Sequence, residues 1–293
     1  MKRILITGGC SYIGTSFDNW MKQYDGYEID TVDMIGEGWR KKDFSDYNTV
    51  FHVAGIAHSD TRRVNNDEKA KYYRINTDLA IETAKKAKAE GVKQFIYMSS
   101  AIVYGDSASI GNSRIITKDT QAKPVNFYGD SKLQAEIGLQ QLENEEFKII
   151  ILRPPMIYGR GSKGNYPILS KIATISPVFP YVNNQRSMLY VDNLTEFVKL
   201  MIDNEENGIF HPQNAEYTNT SEMVKMIAEA KGKRILLIKG FAWALKILSC
   251  FAGVINKAFG NMCYDMKMSE YKEEYRKFNL KESIMRTEAR IEE

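Results

Sequence analysis

Tyr128 and Lys132 stand four residues apart in Phe127-Tyr128-Gly129-Asp130-Ser131-Lys132, a spacing that puts both side chains on one face of a helix. A free phenol titrates near 10, too high for a base at neutral pH, and a neighbouring ammonium lowers it by favouring the phenolate. The pair therefore reads as a device for moving a proton, although a chain with 17 tyrosines also places such pairs by chance. Met98-Ser99-Ser100-Ala101 adds a second component. Its serines close an apolar run at the end where open α/β sheets place their ligands, so the Ser100 hydroxyl could donate to an oxygen whose proton the tyrosine takes. Serines at a strand end also serve as turn residues or helix caps.

A third component precedes these two. In Thr7-Gly8-Gly9-Cys10-Ser11-Tyr12-Ile13-Gly14 the glycines follow an apolar run and open a helical pattern. Such a loop lets backbone approach a pyrophosphate at a helix N-terminus, where the amides and the helix dipole favour negative charge. Ser11 occupies the position usually held by the middle glycine, and a side chain there narrows the approach. Asp33 follows Gly14 by 19 residues, close to the spacing at which a carboxylate binds the hydroxyls of an adenosine ribose and repels a 2'-phosphate. That reading favours NAD over NADP. A turn-forming aspartate, helped by Gly36, is the alternative.

The elements that must position these groups are visible as short apolar runs at Ile4–Ile6, Glu28–Val32, Thr49–Val53, Gln94–Met98 and Lys148–Leu152, alternating with helical patterns. This predicts a doubly wound parallel sheet of the α/β class. Tyr72, Ile75, Leu79, Thr83 and Ala87 mark a helix across Asp67 to Glu90, stopped by Gly91, and a second helix is expected from Tyr128 to about Asn144. The stretch between Asp33 and Thr49 is too short for a full crossover helix and should hold loops and short turns. The expected division is a dinucleotide-binding domain at 1–155 plus about 187–211, and a smaller substrate domain at 156–186 and 212–293. The latter reads as mostly helical, with the charged run Lys267 to Lys277 as a solvated helix.

Composition removes several classes of function. A net charge of +3 spread along the chain gives no nucleic-acid surface. Cys10, Cys250 and Cys263 lack metal-ligand spacing and suit reduced thiols in a cytoplasm. His52 reads as a packed core residue, and His58 and His211 as loop residues, with no spacing for a metal or a nucleophilic triad. The apolar stretch Gly240 to Phe259 is interrupted by Lys246 and Lys257, leaving ten uncharged residues between them where a span needs roughly 20; Phe241, Leu245, Leu248, Ala252 and Ile255 instead recur as on an amphipathic helix. No membrane span is expected.

Taken in order, Thr7 to Gly14, Asp33, Asp43-Phe44, His52 to Gly55, Asn76, Ser99 to Gly105, Tyr128 to Lys132 and Arg153 to Gly159 resemble the extended short-chain dehydrogenases of the NAD-dependent epimerase/dehydratase family over residues 2 to about 205. The resemblance implies a Rossmann-type fold with Ser100, Tyr128 and Lys132 as the catalytic set. Tyr128 is then the acid/base, Lys132 lowers its pKa and holds the nicotinamide ribose, and Ser100 binds the reacting oxygen. It further implies a cofactor held by Gly8, Ser11, Tyr12, Ile13, Gly14, Asp33, Asp43, Phe44, Val53, Ala54, Gly55, Asn76, Met98, Tyr128, Lys132 and Pro154. Asp43 and Phe44 would flank the adenine, Asn76 would support the nicotinamide end through its helix, and Arg186 and Asn165 would contact the diphosphate of a UDP-sugar. Relatives of this kind also pair as homodimers through the helices that start near Asp67 and Tyr128.

Within the family the resemblance is to UDP-glucose 4-epimerase-like proteins and to reductases of UDP-linked 4-keto-6-deoxy-N-acetylhexosamines, both acting at C4. Pro155-Met156 stands where hexose 4-epimerases carry a Phe-Asn pair, which tips the expectation slightly to a 4-keto-sugar reductase; a UDP-glucose or UDP-N-acetylglucosamine 4-epimerase is the alternative, since Asp33 suits the NAD that epimerases retain. Ala101-Ile102 lacks the acidic pair of the dehydratases. A non-enzymatic NAD sensor on the same fold is the alternative from another class.

Overall fold

The computed structural model describes residues 1–57, 65–240 and 259–289. His58, Cys250 and the amphipathic stretch expected between Gly240 and Phe259 lie wholly or mostly outside them. The described residues fall into two compact units, the first made of Met1–Gly105, Gln121–Pro154 and Leu194–Pro212.

In the first unit β1 (Lys2–Thr7) leads into α1 (Tyr12–Met21), then β2 (Tyr27–Val32), a four-residue helix α2 (Gly38–Lys41) and β3 (Thr49–His52). Next come α3 (Asn66–Tyr72), a π-helical turn (Tyr73–Asp78), α4 (Leu79–Ala89) and β4 (Gln94–Met98). The unit closes with α5 (Phe127–Gln140), β5 (Lys148–Leu152), α6 (Val191–Asp203), which enters it at Leu194, and β6 (Gly208–Phe210). The six strands form one parallel sheet in the order β6-β5-β4-β3-β1-β2. Every residue of β3 and β4 is buried, as a parallel strand covered on both faces requires, whereas β2 at the edge is half exposed. From β1 the chain goes to β2 on one side and then crosses to β3 on the other. Ligands of open α/β sheets bind at such a reversal, outside the carboxyl ends of the strands.

The short link from β2 to β3 holds only α2. In place of a crossover helix it contributes Trp39, Phe44 and Tyr47 to a core shared with Leu5, Val50, Ala84, Phe95, Tyr97 and Leu139. The helix expected from Asp67 to Glu90 is present, but it changes to π geometry across Tyr73–Asp78, a feature that periodicity did not announce. Its start is fixed by a capping box in which Asn65 Oδ1 accepts from the Glu68 amide at 2.8 Å and Glu68 accepts from the Asn65 amide at 3.3 Å. Helix α5 ends at Gln140, earlier than expected.

The second unit consists of Asp106–Thr120, Pro155–Asn193 and the residues from Gln213 onward. The stretch 106–120 joins it because Ile115-Ile116 pairs with Cys263-Tyr264, and 187–193 joins it because Met156–Tyr158 pairs with Met188–Tyr190; both had been assigned to the first domain. Helices Asn165–Ile175, Thr220–Ala230 and Leu280–Glu288 are accompanied by the parallel strand pair Val178–Pro180 and Leu236–Ile238, so the unit is less purely helical than its sequence suggests. Lys267 to Lys277 is not a helix. Only Met266–Ser269 forms a 3-10 turn, and Tyr275 buries its ring and donates to the Gln213 carbonyl at 2.9 Å and the Ser269 carbonyl at 3.0 Å. Among the described residues no helix is long and apolar enough to cross a membrane, and no group of His, Cys, Asp and Glu could hold a metal ion.

Candidate active site

The loop after β1 turns at Gly8, whose φ is +81°, and a Cβ there would stand 2.9 Å from the backbone of Ala54. Only glycine combines that conformation with so close an approach. Gly14 packs α1 onto β1, since a Cβ on it would meet Ser11 Oγ at 3.0 Å and Ile6 Cγ2 at 3.2 Å. Ser11 proves compatible with the missing glycine because its hydroxyl is drawn into the helix, where it caps α1 by accepting from the Gly14 amide at 3.1 Å. The adjoining strand end is tied in by the Val53 amide, which donates to the Thr7 carbonyl at 3.2 Å. His52 lies fully buried with Nδ1 2.8 Å from Thr7 Oγ1; burial, reinforced by the charge of Lys132, pushes its pKa down to about 3, so it is a neutral core residue.

Asp33 lies exposed beyond β2 and accepts from the Ile35 amide at 3.0 Å, the turn that was the alternative to ribose binding, while its side chain remains open to solvent. Arg40 is held by Glu37 and Glu82. Asp43 caps the Ser45 amide at 2.8 Å, a backbone hydrogen bond that lowers its pKa. The ring of Phe44 is wholly in the core, so what the Asp43-Phe44 step can offer a ligand is the Asp43 side chain and backbone.

Helix α5 carries Tyr128 and Lys132. Asn126 caps it by accepting from the Gly129 amide at 2.9 Å. Gly129 has no room for a side chain, since a Cβ would stand 2.8 Å from the Ile102 carbonyl oxygen. That contact seats the helix against the 3-10 turn Ala101–Tyr104, which Ser100 caps through the Ile102 amide. Ser100 is thereby brought close to Tyr128, near enough for its hydroxyl to work against the rise of the Tyr128 pKa. Burial pushes the Tyr128 phenol up to about 12, opposed by the Ser100 hydrogen bond and assisted by Tyr72.

Lys132 is buried one turn further along. Its ammonium donates to the Met98 carbonyl at 2.8 Å and lies 4.7 Å from the centre of the Tyr97 ring. Desolvation lowers its pKa to about 8, with Glu136 acting the other way. Lys132 faces the strand end, and the dominant influence on Tyr128 is burial.

Asn76 is fully buried on the π-helical turn, where its amide accepts from the Ile56 amide at 2.9 Å and donates to the Ile56 carbonyl and to Ser131 Oγ, each at 3.1 Å. It thus ties the loop after β3 to α5. Gly55 lies at this junction, where a Cβ would stand 3.1 Å from Asn76 Oδ1 and 3.3 Å from Lys132 Nζ. Pro154 is buried and its carbonyl accepts from the Ala101 amide at 2.9 Å. The glycine loop, the Gly55 cradle and the inward ammonium fit a dinucleotide laid along the strand ends.

The first unit therefore brings together Gly8, Ser11, Gly14, Val53, Ala54, Gly55, Asn76, Met98, Ser100, Tyr128, Lys132 and Pro154. Asn165, which begins the helix Asn165–Ile175, and Arg186, whose backbone pairs with Thr218, both belong to the second unit. Sequence reasoning missed Gly129, Ser131 and the buried pair Glu136 and Arg153. For Glu136 a signal existed: it lies on the face of Tyr128 and Lys132, a further four residues along.

Residues 4–212 match the profile of the NAD dependent epimerase/dehydratase family. The chain is 27% identical over 294 aligned positions to a UDP-glucose 4-epimerase of Vibrio cholerae, covering 90% of this chain and 88% of that protein. It is 31% identical over 173 positions to an N-acetyl-alpha-D-glucosaminyl-diphospho-ditrans,octacis-undecaprenol 4-epimerase of Escherichia coli O157:H7, covering 56% of this chain and 50% of that one. Its fold is similar to that of a UDP-glucuronic acid 4-epimerase from Bacillus cereus in complex with NAD, with a TM-score of 0.73, 17% identity, and coverage of 97% and 96% of the two chains.

Proposed function

Because the chain belongs to the NAD-dependent epimerase/dehydratase family, and is an NAD-dependent enzyme of the extended short-chain dehydrogenase type, we propose that it acts at C4 of a UDP-linked hexose or N-acetylhexosamine as a 4-epimerase. The observation that carries this reading is Ser100 held beside Tyr128 at the carboxyl end of β4, with Lys132 one turn further along α5 and hydrogen bonded to the Met98 carbonyl. When bound, the nicotinamide supplies the acceptor and donor of hydride. Tyr128 removes the proton of the C4 hydroxyl as that carbon is oxidised and returns it on reduction. Ser100 donates to the same oxygen and holds it at the phenol. Lys132, with a pKa of about 8 and an ammonium at neutral pH, would hold the nicotinamide ribose and favour the phenolate. In the second unit, Arg186 and Asn165 are assigned to the diphosphate end of the substrate.

A second reading, 4-keto-sugar reductase, is favoured by Pro155-Met156 in place of the Phe-Asn pair of hexose 4-epimerases. The purified protein should be assayed with UDP-glucose, UDP-N-acetylglucosamine and polyprenyl diphosphate-linked N-acetylglucosamine, each with NAD, and with a UDP-linked 4-keto-6-deoxy-N-acetylhexosamine plus NADH. Interconversion of C4 epimers supports the epimerase. Oxidation of NADH by the keto sugar alone replaces it with the reductase, and NAD binding without turnover of any of the four sinks both in favour of a sensor.

A further inference from the structure

Behind the site, in the first unit, lies a chain of polar side chains to which the reaction gives no role. Glu136 is 1% exposed and Arg153 8%. The guanidinium forks onto the carboxylate, with Nη2 2.5 Å from Oε2 and Nε 3.1 and 3.2 Å from the two oxygens. Ser99 Oγ donates to Glu136 Oε1 in a short hydrogen bond. On the other side Arg153 Nη1 donates to the Tyr104 hydroxyl at 2.7 Å, and that hydroxyl lies 2.8 Å from His211 Nε2. Ser99 precedes Ser100, and Tyr104 ends the turn that Ser100 caps. Glu136 is one helical turn beyond Lys132, and Arg153 directly precedes Pro154.

We propose that Glu136 and Arg153 are positioning residues for the hydride-transfer reaction: their buried pair clamps both ends of the turn bearing Ser100 to the helix bearing Tyr128 and Lys132, and sets the charge behind Lys132. The inference rests on the function assigned above. Two consequences follow from the geometry. A carboxylate gripped by both Ser99 and Arg153 fixes the separation of Ser100 from α5, so the Ser100–Tyr128 contact is imposed from below rather than by the substrate. The same carboxylate supports the ammonium of Lys132, and its removal makes Lys132 lose its proton at lower pH. Lys132 is also faced by His52 from β3, which is neutral, and by Tyr97 from β4, whose phenol burial holds well above its ordinary range. Neither supplies a negative charge at neutral pH, and the Glu136 carboxylate is what works against the desolvation of Lys132.

The test compares Glu136→Gln with the double variant Glu136→Gln/Arg153→Met, which replaces the pair by neutral groups and does not leave Arg153 as a buried cation without its carboxylate. Each is followed by thermal unfolding, NADH binding by fluorescence, and the pH profile of kcat/KM on the best substrate of the panel. The expected result is that the alkaline limb of the profile moves to lower pH by about one unit in Glu136→Gln. In both variants kcat should fall at least tenfold while KM changes less, and the double variant should recover the thermal stability lost by the single one without recovering kcat. An unmoved alkaline limb, or kcat returning with stability in the double variant, overturns the proposal and leaves the pair a structural one. Tyr128→Phe is run alongside. If it retains turnover, the assignment of the reaction to Ser100, Tyr128 and Lys132 has failed; if it is inactive while the Glu136 variants behave as wild type, only the positioning role has failed.

Discussion

At the scale of single residues burial governs the proton-bearing groups: it raises Tyr128 to about 12, so that it is a phenol at neutral pH, and lowers Lys132 to about 8, its ammonium donating to the Met98 carbonyl. Removing only the hydroxyl in Tyr128→Phe should leave NAD binding close to wild type and slow the chemical step by roughly 10² to 10⁴, as acid/base catalysis implies; fluorescence titration and single-turnover kinetics separate the two effects. In the oxidation direction the rate needs the phenolate, so it should rise with pH, with an apparent pKa well below that of the free protein once the cationic cofactor is bound. Asp33 lies exposed just beyond β2, and we propose that it faces the adenosine ribose, where a 2'-phosphate would meet a like charge. Asp33→Ala should therefore narrow the preference for NAD(H) over NADP(H) in titrations of both. Equal affinities in the unaltered protein would show that Asp33 does not face the ribose.

The elements convert those residues into a site by approaching one another more closely than side chains ordinarily permit. Gly129 lets α5 reach within 2.8 Å, measured from the position of an added Cβ, of the Ile102 carbonyl. Gly129→Ala should force the turn bearing Ser100 away from the helix, costing about 1–3 kcal/mol of stability as overpacking does, and should lower kcat by more than the loss of folded protein explains. Thermal unfolding together with activity normalised to folded protein checks this. The glycine loop, the strand ends and the Tyr128–Lys132 spacing were legible in the chain because each is local, written within a few residues. The π-helical turn beneath Asn76, the seat of Gly129 and the Glu136–Arg153 pair were not, because each depends on what a distant segment brings to it. The second unit was misread in part for a related reason. Three-residue strands such as Val178–Pro180 and Leu236–Ile238 are too short to show a period, and it is pairing with each other that makes them strands.

For the molecule as a whole, burying Lys132 puts function and stability in opposition. Its folded pKa, about 8, lies below the ordinary 10.5, so between those values the unfolded chain binds the proton and the folded one does not, and stability rises with pH across that window. Lys132→Met should abolish that part of the rise, raise stability at neutral pH and weaken NAD binding, all measurable by denaturation of the cofactor-free protein at pH 7 and pH 10 and by titration. Homodimerisation through the faces of α3 and α5 remains our proposal. Leu139 is spent on the core and Tyr73 donates to Asp130, while Val125 and Ile137 stay 61% and 44% exposed beside them. Sedimentation velocity at micromolar concentration should give a dimer, and a single monomer species would exclude it.

The chain crosses between its two units five times, at 105/106, 120/121, 154/155, 193/194 and 212/213. During synthesis, therefore, the sheet of the first unit stays open until β6 has emerged at residues 208–210, and Ile115-Ile116 waits for Cys263-Tyr264, made almost 150 residues later. Neither unit can be excised as a continuous fragment. A nascent chain halted near residue 240 would hold a finished cofactor sheet and an unpartnered strand, a state in which NAD could be captured before the rest of the protein exists.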